Sequence, residues 1–212
     1  MGHRVSYADF IRLKQLEKQA TVIDIPQLYQ TGFDYLEWPV LRPTSNCDWE
    51  IDKMEWGFLP NTVKSREEAE RFRKGYKDAY GRFHPPMTTL NARGEDLLLP
   101  DKMYREAALK RRCLVIASFF YEWRHIFPIG KRGEILKTAV KYPYYIGVKN
   151  AKYFFMPGVW ERWEDKDTNE ITDTFALCTT AANSLMEQIH NSQKECRPSL
   201  MKILLTNGFQ TG

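Results

Sequence analysis

The stretch Cys113-Leu114-Val115-Ile116-Ala117-Ser118-Phe119 constrains the fold more than any other part of the chain, because a short apolar run rich in β-branched residues fits a buried strand. It leads into Phe120-Tyr121-Glu122-Trp123, which sets one carboxylate between bulky aromatics at the end of that strand. A glutamate so placed is either ion-paired, or carries a raised pKa and handles protons. The residues alone leave both readings open.

Candidate strands continue through the second half of the chain: Cys113 to Trp123, Tyr142 to Val148, Tyr153 to Trp160 and Thr174 to Thr179. A helix is expected from about Ala182 to His190. In the first half, Ser6 can cap a helix whose apolar face is Tyr7, Phe10, Ile11 and Leu13. Short strands are expected over Leu36 to Leu41, interrupted by Pro39, and over Met54 to Phe58. Ser65-Arg66-Glu67-Glu68 is a capping-box pattern that opens a polar helix reaching about Tyr80. Its charges lie on most faces, so it reads as a solvated surface insertion. Asp101 can cap a further helix through Arg111. Strands separated by variable helices indicate an α+β fold on a curved, barrel-like mixed or antiparallel β-sheet with peripheral helices.

A chain of 212 residues, 43% hydrophobic and 14% aromatic, can fill one sizeable core, and a single domain over 1–212 is expected. A net charge of +4 permits nucleic-acid binding without requiring it. The four cysteines, Cys47, Cys113, Cys178 and Cys196, have no CxxC spacing and give no zinc pattern; Cys113 and Cys178 sit in apolar runs and read as buried reduced thiols. The N-terminus carries Asp9 and Glu17 and does not read as a signal peptide. No run approaches the roughly 20 apolar residues of a membrane span. A cytoplasmic monomer without cofactor or metal is the expectation.

Three other segments could carry chemistry. Asn91 and Arg93 are two apart, so on an extended segment they point the same way. Asn can orient a hydroxyl or carbonyl, and Arg can hold a phosphate by a two-pronged contact; a turn Asn beside a surface Arg is the plainer reading. His190 closes the last predicted helix, either as a cation on the helix dipole or as a general acid or base. Trp56, Gly57 and Pro60 form either a core turn or an apolar wedge on which an unpaired base stacks. His84 and His125 read as surface or packing residues.

Taken in order, Trp56-Gly57-Phe58-Leu59-Pro60, Asn91-Ala92-Arg93, Arg112-Cys113-Leu114 leading to Phe120-Tyr121-Glu122-Trp123, Pro157-Gly158-Val159-Trp160-Glu161 and Ile189-His190 resemble the SOS-response-associated peptidase (SRAP) family. No one of these motifs is specific; the five in order are. The resemblance runs from Arg4 to about Arg197 and implies the same barrel-like architecture. It further implies a sensor of abasic sites in single-stranded DNA. Such proteins link covalently to the opened sugar aldehyde through residue 2 after Met1 is removed. The freed α-amine forms an imine, and a cysteine thiol then closes a thiazolidine. An α-amine has a pKa near ~8, so a useful share is unprotonated at neutral pH. Carried over by position, Asn91 orients residue 2 and the sugar, Glu122 positions the amine and shuttles protons, and His190 is the general acid. Arg4, Arg93 and Lys102 hold phosphates, and Trp56 and Gly57 meet the DNA.

The chain departs from the family twice. It begins Met1-Gly2 where the family has Met-Cys, so residue 2 offers an amine and no thiol. One base change converts a Cys codon to a Gly codon, and a common start-site cloning sequence forces that base, so a cloning origin for Gly2 is expected. After His190, Gln193-Lys194-Glu195-Cys196-Arg197-Pro198 replaces the family's basic-Met-Pro element. Regrouping allowed codons by one base recovers Lys-Arg-Met-Pro, so a tail read out of frame from about Gln193 is expected, with a genuinely divergent tail as the plainer alternative. A peptidase of wider specificity and a non-enzymatic single-strand binder remain the competing readings.

Overall fold

In the computed structural model, the described residues are 30–44, 48–149, 151, 153–181, 186 and 189. The predicted helix at Ser6, the positions Gly2, Arg4, Cys47, His190 and Cys196, and the tail from Gln193 lie outside them.

The elements run as follows: a 3-10 turn at Gly32–Asp34, then β1 (Glu37–Pro43), β2 (Trp49–Trp56), α1 (Arg66–Lys74), β3 (Tyr76–Lys77), β4 (Phe83–His84) and β5 (Asn91–Arg93). There follow α2 (Arg105–Lys110), β6 (Arg112–Ala117), β7 (Phe120–Ile126), β8 (Val140–Ile146), β9 (Phe154–Glu164) and β10 (Ile171–Thr179). The main sheet has the order β2-β1-β6-β9-β10-β5, and a further pairing of β2 with β10 curls it into a barrel. The expected curved mixed sheet with peripheral helices is therefore the observed fold.

The apolar run forms β6, flanked by β1 and β9 and buried over most of its length, as a strand covered on both faces must be. Its register with β9 pairs Cys113 with Gly158. A Cβ on Gly158 would stand 2.9 Å from Cys113 Sγ and 3.0 Å from the Ala176 carbonyl, so only glycine lets the strands close there. Inside the barrel, Val40, Met54, Cys113, Val115, Ala117, Phe154, Met156 and Phe175 form one apolar cluster. Pro39 and Pro43 lie within β1 on either side of Val40 and Leu41, the two residues that β1 pairs with β6. Each proline thus falls where a missing N–H costs no ladder bond to that neighbour.

The sequence predicted one strand from Cys113 to Trp123; two are observed. The chain breaks at Ser118 and Phe119, and β7 leaves the barrel to pair with β8 in a separate two-stranded sheet. The predicted strand Tyr142 to Val148 is correspondingly shifted to Val140–Ile146.

The polar helix stops at Lys74 and is not solvated all round. Ala69 and Arg73 are buried. Arg73 gives Nη2 to Glu55 Oε1 at 2.5 Å and to the Gly57 carbonyl at 2.7 Å, so a charged residue serves as an anchor. Ser65 Oγ caps the helix by accepting from the Glu68 N–H, while Glu68 reaches back to the Lys64 N–H at 2.7 Å. Of the predicted helix at Ala182 to His190, Met186 and Ile189 are described, and both are helical.

Candidate nucleic-acid interface

The site is built on one edge of β10. Its first half pairs in parallel with β2, at Thr174–Glu55 and Phe175–Trp56. Its second half pairs in parallel with β5, at Leu177–Asn91, Cys178–Ala92 and Thr179–Arg93. One strand therefore hands its edge from β2 to β5, and the Trp-Gly and Asn-Ala-Arg segments meet at the handover. Two bonds seal the junction: the Trp56 indole donates to the Leu90 carbonyl at 3.0 Å, and the Leu177 N–H donates to the same oxygen at 2.9 Å. The Gly57 N–H donates to the Phe175 carbonyl at 2.9 Å.

Within β5 the alternation is clean: Ala92 is buried, and Asn91 and Arg93 are exposed on the same side. The Tyr104 hydroxyl donates to the Asn91 carbonyl at 3.3 Å and stays protonated, since burial pushes its pKa up to about 12. The Arg93 guanidinium lies 3.4 Å from Glu95 and 3.9 Å from Asp96, and remains over half exposed. Glu95 also accepts from the Ala181 N–H at 2.8 Å, a bond that holds its carboxyl below the usual range. Glu95 thus ties the Arg93 loop to the end of β10, where the chain runs on towards His190.

Trp56 is half-buried and stacks near-parallel to Phe175, with ring centroids 6.1 Å apart. Gly57 is buried and has φ +139; a Cβ there would sit 2.5 Å from Tyr35 Cδ1. Tyr35 covers Gly57, and the Arg73 guanidinium lies 4.2 Å from the Tyr35 ring. Lys102 is half-buried in the turn before α2, its N–H bonded to the Leu99 carbonyl at 3.2 Å.

Glu122 is carried by a different sheet. On β7 the residues Phe120, Glu122 and Arg124 are half-buried, while Tyr121 and Trp123 are exposed. Phe120 packs on Phe154 and so fixes the base of the hairpin to the barrel core. Glu122 sits directly across from Tyr144.

The carboxylate of the second aromatic-Glu segment has another fate. Glu161 is buried and lies 2.5 Å from Arg111 Nη2. Burial raises its pKa, and Arg111 opposes that rise. It is a structural ion pair.

Sequence reading passed over Thr179. It is buried, its hydroxyl has no hydrogen-bond partner, and it stands in register with Arg93. Only the parallel β5–β10 pairing, a contact between distant segments, brings it there. Neither described thiol is poised as a nucleophile: burial pushes Cys178 up to about 11 and Cys113 further still. A polar cleft of about 370 Å³ elsewhere holds Arg66 and Arg162. Arg66 is bound to Glu55 and Glu170, and Arg162 to Asp173, so both arginines are already matched; Lys53 also lines the cleft, beside its carboxylates. No group of metal-ligating side chains occurs among the described residues, and no helix among them is long and apolar enough to cross a membrane.

A barrel in which one strand gathers a Trp-Gly turn and an Asn-Ala-Arg strand along one side defines a class of protein that comparison makes specific. The profile of the SOS response associated peptidase (SRAP) family matches residues 13–199, and the chain belongs to that family. It is 30% identical over 141 residues to the abasic site processing protein YoqW of Bacillus subtilis, covering 66% of this chain and 50% of that protein. It is 26% identical over 151 residues to an abasic site processing protein of Saccharomyces cerevisiae, covering 71% of this chain and 32% of that one. The chain thus spans half or less of these relatives' lengths. A crystal structure of a Bacteroides thetaiotaomicron protein superposes with a TM-score of 0.62 at 30% identity, over 90% of this chain and 72% of that one.

Proposed function

We propose that this chain recognises abasic sites in single-stranded DNA at the β5–β10 edge. The observation that carries the reading is the handover on β10, which sets Asn91 and Arg93 side by side, exposed, next to the Trp56-Gly57 turn. The abasic site processing relatives support it. Arg93, Arg4 and Lys102 take backbone phosphates, and Trp56 lends a ring edge. Gly57 acts by shaping the turn, because Tyr35 occupies the space above it.

In the covalent step, the residue-2 amine exposed by loss of Met1 adds to the C1′ aldehyde of the opened sugar. Water leaves to give an imine. Asn91 orients the sugar and residue 2, Glu122 accepts the amine proton, and His190 protonates the departing oxygen. Where residue 2 is a cysteine, its thiol then adds to the imine carbon and closes a stable five-membered ring. Gly2 stops the sequence at the imine, which water reverses.

Intact-protein mass spectrometry with a single-stranded oligonucleotide carrying one abasic site tests this. The Gly2→Cys variant is expected to lose Met1 and form a stable adduct, weakened by adding Glu122→Ala. The parent chain is expected to give an adduct only after borohydride reduction. Absence of any adduct from Gly2→Cys with Met1 removed and the fold intact refutes the covalent reading. It leaves a non-enzymatic single-strand binder, a reading that the missing residue-2 thiol and the protonated Cys113 and Cys178 already favour over a peptidase with its own cysteine nucleophile.

A further inference from the structure

The β7–β8 hairpin presents cations and aromatic rings that the site described above does not use. Between Phe120 and Ile146 the chain carries five Lys and Arg residues and two carboxylates, Glu122 and Glu134. In the register of the hairpin, Glu122 faces Tyr144 and Arg124 faces Tyr142. Directly opposed residues of an antiparallel pair project from the same face, so these four share one face. Tyr142 is 49% exposed and Tyr144 38%. Arg124 is half-buried, and its Nε is enclosed with no hydrogen-bond partner. An enclosed N–H without a partner is costly, so this guanidinium gains from an acceptor that a ligand brings. On the opposite face Tyr121 and Tyr145 pack edge-on and Phe119 stacks on Tyr145, so those rings already have neighbours.

We propose that Arg124, Tyr142 and Tyr144 form a subsite for the nucleotides flanking the lesion on single-stranded DNA, with Arg124 on a phosphate and the two tyrosines stacking on bases. The inference rests on the DNA-binding reading of the β5–β10 edge. Two arguments select this occupant. The first is charge: the hairpin's cations outnumber its carboxylates. Around α1 and the β3–β4 turn, which also expose Tyr80 and Phe83, most cations are instead ion-paired, Arg66 and Arg73 with Glu55 and three others within the segment. Arg71 pairs there with Glu67, Lys74 with Glu70 and Arg82 with Asp78. The second is spacing. Residues two apart on a strand lie about 6.8 Å apart, about twice the 3.4 Å spacing of stacked bases, so one base fits between the two rings. The subsite shares its face with Glu122, to which the proposed function gives the proton-transfer role. Pro143 lies between the tyrosines and gives β8 no N–H there, which weakens that edge as a seat for another strand.

The test is fluorescence anisotropy of the full chain with a labelled single-stranded oligonucleotide holding one tetrahydrofuran abasic analogue, across a salt series. Tyr144→Ala is expected to weaken binding about 5- to 100-fold, and Tyr144→Phe, which keeps the ring, to recover most of that loss. Arg124→Gln is expected to lower the salt slope by about 0.7, the value for one single-strand phosphate contact. Circular dichroism confirms that the variants are folded. If the parent chain binds and both Tyr144→Ala and Arg124→Gln stay within about twofold of it, the subsite is refuted while the reading of the β5–β10 edge stands. If the parent chain binds no single strand, that reading falls and takes the subsite with it. A concentration-dependent dimer in sedimentation, abolished by Tyr144→Ala, assigns the face to a second copy and overturns the proposal.

Discussion

Gly57→Ala separates a residue that touches DNA from one that holds the site together. The added Cβ would lie 2.5 Å from Tyr35 Cδ1, 2.9 Å from Cε1 and 3.1 Å from Arg73 Nη2. None of these atoms yields easily. Tyr35 has φ 52, closes the 3-10 turn through its N–H to the Gly32 carbonyl, and lies against the Arg73 guanidinium. Arg73 is itself fixed by Glu55 and by the Gly57 carbonyl. The backbone term, an alanine forced to φ +139, is about 1–3 kcal/mol. Forced displacement of packed neighbours adds about 1–3 kcal/mol, and the stiffer unfolded chain returns about 0.4–1 kcal/mol. A net loss near 3 kcal/mol is expected, a large share of the about 5–15 kcal/mol that holds a typical domain together. Urea unfolding measures it. The displacement part depends on Tyr35, so a double-mutant cycle with Tyr35→Ala should show coupling of about 1–3 kcal/mol. A Gly57→Ala protein within about 0.5 kcal/mol of the parent, or one with no coupling to Tyr35, refutes the reasoning. If stability is unchanged and single-strand binding is lost, Gly57 is a DNA contact after all.

Other consequences follow from the same network and from the thiols. Arg73→Ala takes from Glu55, whose side chain is 14% exposed, its buried partner while Arg66 stays bound, and should destabilise by about 1–3 kcal/mol in the same urea assay. Cys178 should alkylate with iodoacetamide at pH 8 about 100-fold or more slowly in the folded than in the unfolded protein, because its pKa near 11 leaves little thiolate; mass spectrometry of the labelled peptide reads the rate. Glu95 has a folded pKa below its unfolded one, so its bond to the Ala181 N–H stabilises above the ordinary carboxylate range and is lost as pH falls through the lowered value. Glu95→Gln should therefore flatten the acid limb of the stability profile while leaving its slope above neutrality unchanged.

The handover on β10 explains what the sequence could and could not reveal. Strand identities were legible because each strand's apolar pattern is local: β6, β9 and β10 overlap the expected runs, although β6 ends at Ala117, β9 runs on to Glu164 and β10 begins at Ile171. The break at Ser118 and Phe119 was not legible. The run stays apolar through it, and the decision to leave the barrel depends on Phe120 finding Phe154, which is distant in sequence. Arg73 looks solvated in the sequence for the same reason, since its partner Glu55 is on β2 and nothing within the helix signals a buried anion nearby. Asn91 and Arg93 could be put on one face from spacing alone. That Thr179 stands beside Arg93 needed the parallel pairing of two strands far apart in the chain.

The two aromatic-Glu segments carry the same lesson into chemistry. Tyr121-Glu122-Trp123 and Trp160-Glu161 look alike as strings, and the string does not say what surrounds either glutamate. Position in the sheet decides between them. Glu161 lies on β9 between two barrel neighbours, where an unpaired charge would be expensive, and Arg111 reaches it from the end of α2. Glu122 lies half-buried on a strand that has left the barrel, directly across from Tyr144. Removing the charge should therefore act on different observables. Glu161→Gln breaks a buried pair and should be read first in unfolding, with Arg111→Met as the compensating partner change that recovers part of the loss. Glu122→Gln should be read first in the rate of adduct formation by Gly2→Cys. If the two substitutions exchange these effects, the assignment of one carboxylate to structure and the other to proton transfer is wrong.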